Sequence, residues 1–235
     1  MIDLAAFKLS TKRQRQLSYL MELSLVGMLF VGVDRGNGGI VINTAVALAV
    51  TQLPPILERD YGIPMDPRLT LWITTAVFLH AFGTVGLPGA TSTLYSQVWW
   101  WDHMTHALSA SVVAAAGYAT VRALDEHAEG IRFPGRFIAL FILLFVLAFG
   151  VLWEILEFVI ALAAERLGMP RVLTQYGLED TMLDIVFNSI GALIVAIWGG
   201  AYLGDVSGAI RERLEARNAG GLEHLERQEA NEREK

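Results

Sequence analysis

FIALFILLFVLAFGVLWEILEFVIAL, from Phe137 to Leu162, carries only two charged side chains, Glu154 and Glu157. It is longer than the roughly 20 residues that a helix needs to cross a bilayer core about 30 Å thick. A helix apolar on nearly every face is a core helix or a membrane span. The rest of the chain decides between them: 54% of its 235 residues are hydrophobic and only 18% are charged, and mean hydropathy is +0.44. Such a composition is too apolar for an ordinary soluble domain.

Working outward from that run, further apolar stretches lie near Leu17 to Val33, Gly39 to Leu57, Leu71 to Leu87, Asp102 to Leu124 and Thr181 to Leu203. Lipid-exposed backbone must satisfy its own hydrogen bonds, so every span is expected to be helical. The expectation is an all-α, polytopic transmembrane helical bundle of about six spans. Residues 1–204 form one membrane domain, and residues 205–235 a charged cytoplasmic tail, partly disordered beyond Ala219-Gly220-Gly221. The second span is interrupted by Pro54-Pro55, so Ile56 to Ile63 is expected at the interface. The first run follows basic residues as a signal peptide would, but Val31-Gly32-Val33-Asp34 is a poor cleavage site, and it is read as a retained span.

An even number of spans puts both termini on one side. Of the 18 basic residues, only Arg35, Arg166 and Arg171 fall on the other, so both termini are expected in the cytoplasm of a multi-pass plasma-membrane protein. The tryptophans of WWWDHMTH, Trp99 to His106, then belong to the outer interface, where indole rings are favoured. The net charge of −6 gives no reason to expect nucleic acid as a partner. The lipid bilayer is the expected partner.

Polar residues inside these spans converge. Asp102, His103 and His106 open the fourth span, Glu154 and Glu157 lie in the last third of the fifth, and Asp180, Asp184 and Asn188 open the sixth. His80 falls past the middle of the third span and Asn43 near the start of the second. In the up-and-down order all of them lie in the outer half. Spacings of three and four put each set on one helix face. Stacked by depth, they suggest a mouth of Asp102, His103, Glu157 and Asp180, a middle layer of His106, Glu154 and Asp184, and a floor of His80 and Asn188.

Charged groups facing lipid cost several kcal/mol each, so carboxylates at this depth face a bundle interior and find partners. Protonation, the histidines or a divalent cation would relieve their mutual repulsion. With no cysteine in the chain, a metal must be held by His, Asp, Glu or Asn, a donor set suited to Zn, Mn, Fe or Mg. The candidate ligands are Asp102, His103, His106, Glu154, Asp180, Asp184 and Asn188, with His106, Glu154 and Asp184 first among them. Asp102 and Asp180, near helix N-termini, read equally well as caps, and His103 as an interfacial ring. The candidate catalytic residues are Glu157, a general base on a metal-bound water, and His80; His80 and Asn188 read also as groups that support the ligands.

LPPILERDYGIPMDPRL, WWWDHMTHALSA, GVLWEILEF and DTMLDIVFNSIGA, in this order, resemble the YjdF-like family of multi-pass inner-membrane proteins of unknown function. The resemblance covers roughly Tyr19 to Leu203. It implies that the polar positions of the family fall on Asp102, His106, Glu154, Glu157, Asp180, Asp184 and Asn188. Two positions depart: Ala110 stands where a glycine is common, and Ile160 and Ala161 where a further acid is expected. The family supplies no reaction. The site itself points to a metal-dependent hydrolase or transferase acting on a lipid or envelope small molecule. The alternatives are a cation or proton transporter, for which the inner half offers chiefly Glu22 and Thr74-Thr75, and a non-enzymatic structural membrane protein.

Overall fold

The computed structural model describes residues 9–86, 92–127, 130, 132–169, 172–173 and 177–216. Its helices are α1 (Thr11–Asp34), α2 (Gly38–Thr51), α3 (Leu53–Tyr61), α4 (Pro67–Val85), α5 (Leu94–Gln97), α6 (Trp101–His127), α7 (Gly135–Leu167) and α8 (Leu178–Tyr202). There is no strand among the described residues. Six stretches are long and apolar enough to cross a membrane, with α2 and α3 together making the second, Gly38–Tyr61. The expected fold class is the one found. Leu87, the expected end of the third span, lies outside the described residues, as does the chain beyond residue 216.

Helix starts follow local chemistry. Ser10, Asn37 and Asp66 each accept a hydrogen bond from a backbone N–H of the first turn, at Arg13 (3.4 Å), Ile40 (3.1 Å) and Arg68 (2.7 Å). Pro67 then fills a first-turn position where no N–H is needed. At Gln52 the second span breaks, because Pro54 and Pro55 cannot donate to the preceding turn. The Thr51 hydroxyl donates to the Leu48 carbonyl at 2.8 Å and so satisfies one acceptor at the break. Gly62, at φ 57°, ends α3 in the left-handed region.

The spans pack as two groups of three, α1 with α2 and α4, and α6 with α7 and α8, joined through α4 and α6. Leu25, Met28, Ala47 and Ala81 fill the first group. Ala110, Ala114, Val121, Ile138, Ile142, Val146, Ala192 and Val195 fill the second. Most other large apolar side chains on α7 and α8 are exposed, as a lipid-facing surface requires. At about 1.5 Å per residue the 33-residue α7 is some 50 Å long, well beyond the hydrocarbon thickness.

The up-and-down order gives the bundle two ends. The distal end carries the α1–α2, α4–α6 and α7–α8 connections; there the Arg35 guanidinium donates to the Val85 carbonyl at 3.1 Å and ties α1 to α4. At the proximal end residues 204–216 continue helically after α8. Arg213 stands 5.2 Å from the centre of the Tyr61 ring and donates to the Asp60 carbonyl, and Arg211 pairs with Glu126 at 3.8 Å. The start of the charged tail is thus docked on α3 and α6.

Candidate functional site

The second group of helices delivers its acids to the distal end. Along α7 the buried stripe runs Ile138, Ile142, Val146, Gly150, Glu154 and Glu157, apolar for four positions and then acidic. Along α8 it runs the other way, from Asp184 and Asn188 to Ala192 and Val195. The stripe of α6 starts at His103 and continues through Ala110 and Ala114. Three helices therefore carry one polar cap on one apolar core.

Glycine brings the polar ends together. A Cβ at Gly191 would overlap the Ala107 carbonyl oxygen and lie 3.0 Å from the Ser111 amide nitrogen, so α6 and α8 meet backbone to backbone. One turn of α6 from that contact lies His103, and about two turns of α8 from it lies Asp184. Gly150 does the same on α7, where a Cβ would stand 2.7 Å from Asn188 Nδ2. The Asn188 amide lies beside His106.

Asp184 is the centre of the arrangement. Its Oδ1 accepts a hydrogen bond from His103 Nδ1 at 2.9 Å, and its Oδ2 faces His106 Nε2 at 3.8 Å. Asp102 Oδ1 stands 3.5 Å from the same His106 nitrogen. Three sets of side chains bring one ligand atom each within 4.8 Å of one another: Asp102, His106 and Asp184; His103, Asp180 and Asp184; and His106, Glu154 and Glu157. The first two sets share Asp184, and the first and third share His106.

Burial is deep for so much charge. Asp184 is 1% exposed, Glu154 5%, His103 5% and Glu157 8%. Removing an ionised carboxylate from water costs several kcal/mol even after relaxation. His103 satisfies Asp184 Oδ1, Thr181 donates to Glu154 Oε2 at 2.9 Å, and Trp153 Nε1 donates to Glu157 Oε1 at 3.2 Å. Asp184 Oδ2 is buried and accepts no hydrogen bond. Five carboxylates and two imidazoles converge here, and a cation at the centre would offset the charge of the carboxylates that ionise.

His80 is held by Asn43 and Tyr95. Asn43 Nδ2 donates to the carbonyls of Gly39 (2.8 Å) and Val172 (3.1 Å), which leaves Asn43 Oδ1 to accept from His80 Nε2 at 3.2 Å. With the proton on Nε2, His80 Nδ1 is the acceptor for the Tyr95 hydroxyl at 2.9 Å. Both ring nitrogens are engaged, and the network pins α2, α4, α5 and the α7–α8 connection together. The Trp153 ring lies edge-on to His80 with centroids 6.2 Å apart, so one indole touches both polar groups.

The structure therefore brings together Asp102, His103, His106, Glu154, Glu157, Asp180 and Asp184, places Asn188 beside them, and engages both ring nitrogens of His80 on Asn43 and Tyr95. The expected layering is modified: His103, read as a mouth residue or interfacial ring, is buried, stacked on Phe187 at 5.0 Å, and paired with Asp184 of the middle layer. Asp180 occupies the first turn of α8, whose N-cap is Gly177 with no side-chain cap. Trp99 and Trp100 are exposed as a membrane belt requires, whereas Trp153 hydrogen-bonds the site as well as walling it. Thr181 and Tyr95 were absent from the sequence reading. Thr181 had a signal, since it lies three residues before Asp184 and so shares its face; Tyr95 had none.

A protein of Thermotoga maritima, described as an uncharacterized protein, is 28% identical over 143 residues, which cover 61% of this chain and 67% of that protein. No solved structure matches. The model of the family described as Predicted membrane protein (DUF2238) matches residues 17–205. That stretch includes five spans whole, the first from Leu17 onward, and every residue of the polar cap, and nearly coincides with the segment on which the motif resemblance rests. The chain belongs to the Predicted membrane protein (DUF2238) family, a family of multi-pass membrane proteins.

Proposed function

We propose that the distal cap is a divalent-cation site, and that the protein is a metal-dependent hydrolase or transferase acting on a lipid or envelope small molecule at the outer face of the plasma membrane. The observation that carries the reading is the convergence of His103, His106 and five carboxylates from three helices on ligand-scale distances, inside a membrane bundle. A hard or borderline cation such as Zn, Mn, Fe or Mg suits these nitrogen and oxygen donors. His106, Asp102 and Asp184 would hold it. Glu157, within ligand distance of His106 and steadied by Trp153, would take the proton of an attacking water or substrate hydroxyl. The site's place at the distal end favours a substrate reached from the interface.

Transport of a cation or protons is the competing reading. The proximal end does hold an open cavity of about 310 Å³ of mixed lining, with Arg15, Glu22 and Glu58 beside Pro54, Met65 and Pro67. Between that cavity and the distal cap, however, Leu25, Met28, Ala47 and Ala81 fill the first helix group, and Ile142, Val146, Ala192 and Val195 the second. A path for ions would have to open one of these packed layers. The gathering of ligand-type side chains at one end therefore favours chemistry over passage.

Elemental analysis of the purified protein beside His106→Ala and Asp184→Ala tests the first half of the proposal. Metal near or above one ion per chain in the parent and its loss in both variants is the expected result; a metal-free parent after supplementation overturns it. Incubating the protein with membrane lipid extract and the bound metal, with product detection by mass spectrometry, tests the second half. Turnover should disappear in Glu157→Gln while its metal content persists. Equal turnover in that variant removes Glu157 from the chemistry.

A further inference from the structure

The three ligand-scale sets do not describe one coordination sphere. Asp184 belongs to two of them and presents a different oxygen to each histidine: Oδ1 toward His103 at 2.9 Å and Oδ2 toward His106 at 3.8 Å. A single ion on the Oδ2 side is reached by Asp102 and His106, and leaves His103 and Asp180 on the other. A carboxylate that faces separate donor sets with its two oxygens has the form of a bridge between ions about 3.5–4 Å apart.

A second observation supports this independently of the acidic cluster. The Asp184 side chain is 1% exposed, and its Oδ2 accepts no hydrogen bond although it points at His106. Buried carboxylate oxygens are ordinarily hydrogen-bonded, and among the described residues this one has no donor within hydrogen-bond range, only His106 Nε2 at 3.8 Å, so it is oriented to take a cation beside that ring.

Resting on the cation-site reading above, we propose that the distal cap is a two-cation centre bridged by Asp184. One ion lies among Asp184, His106 and Asp102, and the second among Asp184, His103 and Asp180, where it would replace the proton that His103 Nδ1 shares with Asp184 Oδ1. In such a centre the substrate class narrows to a phosphoester or phosphoanhydride of an amphiphile. Paired divalent ions clamp the attacking and leaving oxygens of an in-line displacement at phosphorus, and the phosphate brings the negative charge that the ions require. Water supplies the nucleophile, the P–O bond to the leaving group breaks with its electron pair on the leaving oxygen, and Glu157 receives the proton.

The test is titration of the detergent-solubilised full chain with Mn²⁺, read by elemental analysis after desalting and by electron paramagnetic resonance. Two ions per chain and an exchange-coupled pair signal are expected in the parent. Asp180→Ala and His103→Ala should each fall to one ion with the signal of isolated Mn²⁺, and Asp184→Asn should lose the coupling. Circular dichroism confirms that each variant is folded, and Asp180→Asn replaces any that is not. One ion per chain with an uncoupled signal in the parent overturns the two-cation centre while leaving the cation site standing. No ion overturns both.

Discussion

Gly191→Ala adds one methyl group where α6 and α8 touch, and its effect can be worked from the structure. The new Cβ would overlap the Ala107 carbonyl oxygen and meet the Ser111 nitrogen at 3.0 Å, both of them backbone atoms that cannot rotate away. The helices must part by about 1 Å to restore van der Waals separation. Overpacking of this kind costs about 1–3 kcal/mol, offset by up to about 1 kcal/mol because alanine is the better helix former, which leaves a net loss of about 0–3 kcal/mol. The same displacement carried to the cap would stretch the 2.9 Å contact between His103 and Asp184 beyond hydrogen-bond range. Gly27→Ala is the control, since a Cβ there meets nothing within 4 Å, and it should be neutral or stabilising. Unfolding by sodium dodecyl sulfate, followed by circular dichroism, measures the first effect, and metal content the second. If Gly191→Ala matches Gly27→Ala in stability and retains the parent's metal, the α6–α8 contact does not position the site.

Two further outcomes are expected. Tyr95→Phe removes the O–H donated to His80 Nδ1 and leaves that half-buried acceptor without it, at a cost of about 1 kcal/mol in the same unfolding assay; metal content should not change, and a fall in it would bring His80 into the site. A single cysteine at exposed Ser96, in a chain that has no other, should react with an impermeant thiol reagent added to intact cells. Protection of Ser96→Cys, with labelling only after the membrane is opened, would invert the expected orientation and place the cap on the cytoplasmic side.

Much of the site was readable because its signals are local. Asp102 and His106, Glu154 and Glu157, and Asp184 and Asn188 repeat at three or four residues, and that spacing fixes a shared helix face whatever the helix packs against. Their depth follows from counting residues at 1.5 Å each. The role of His103 was open because it lies next to Asp102, in the turn where a ring can turn outward to the interface or inward to Asp184. His80 was the opposite case. Its depth matched the floor of the site, but depth says nothing of which neighbour occupies each ring nitrogen, and those neighbours, Asn43 and Tyr95, are 37 and 15 residues away.

Sequence alone determined the six spans, their helical state, the kink at Pro54-Pro55 and the gathering of acids and histidines at one end. Each of these follows from hydrocarbon thickness, backbone hydrogen bonding or helical periodicity, which act over a few residues at a time. Tertiary structure decided the rest: that Asp184 turns one oxygen to each histidine, that His80 is locked on Asn43 and Tyr95, and that Gly191 is a contact while Gly27 is open space. Rotation and separation of neighbouring helices are set by which small residues meet, and a glycine in the sequence does not carry the identity of the helix across from it.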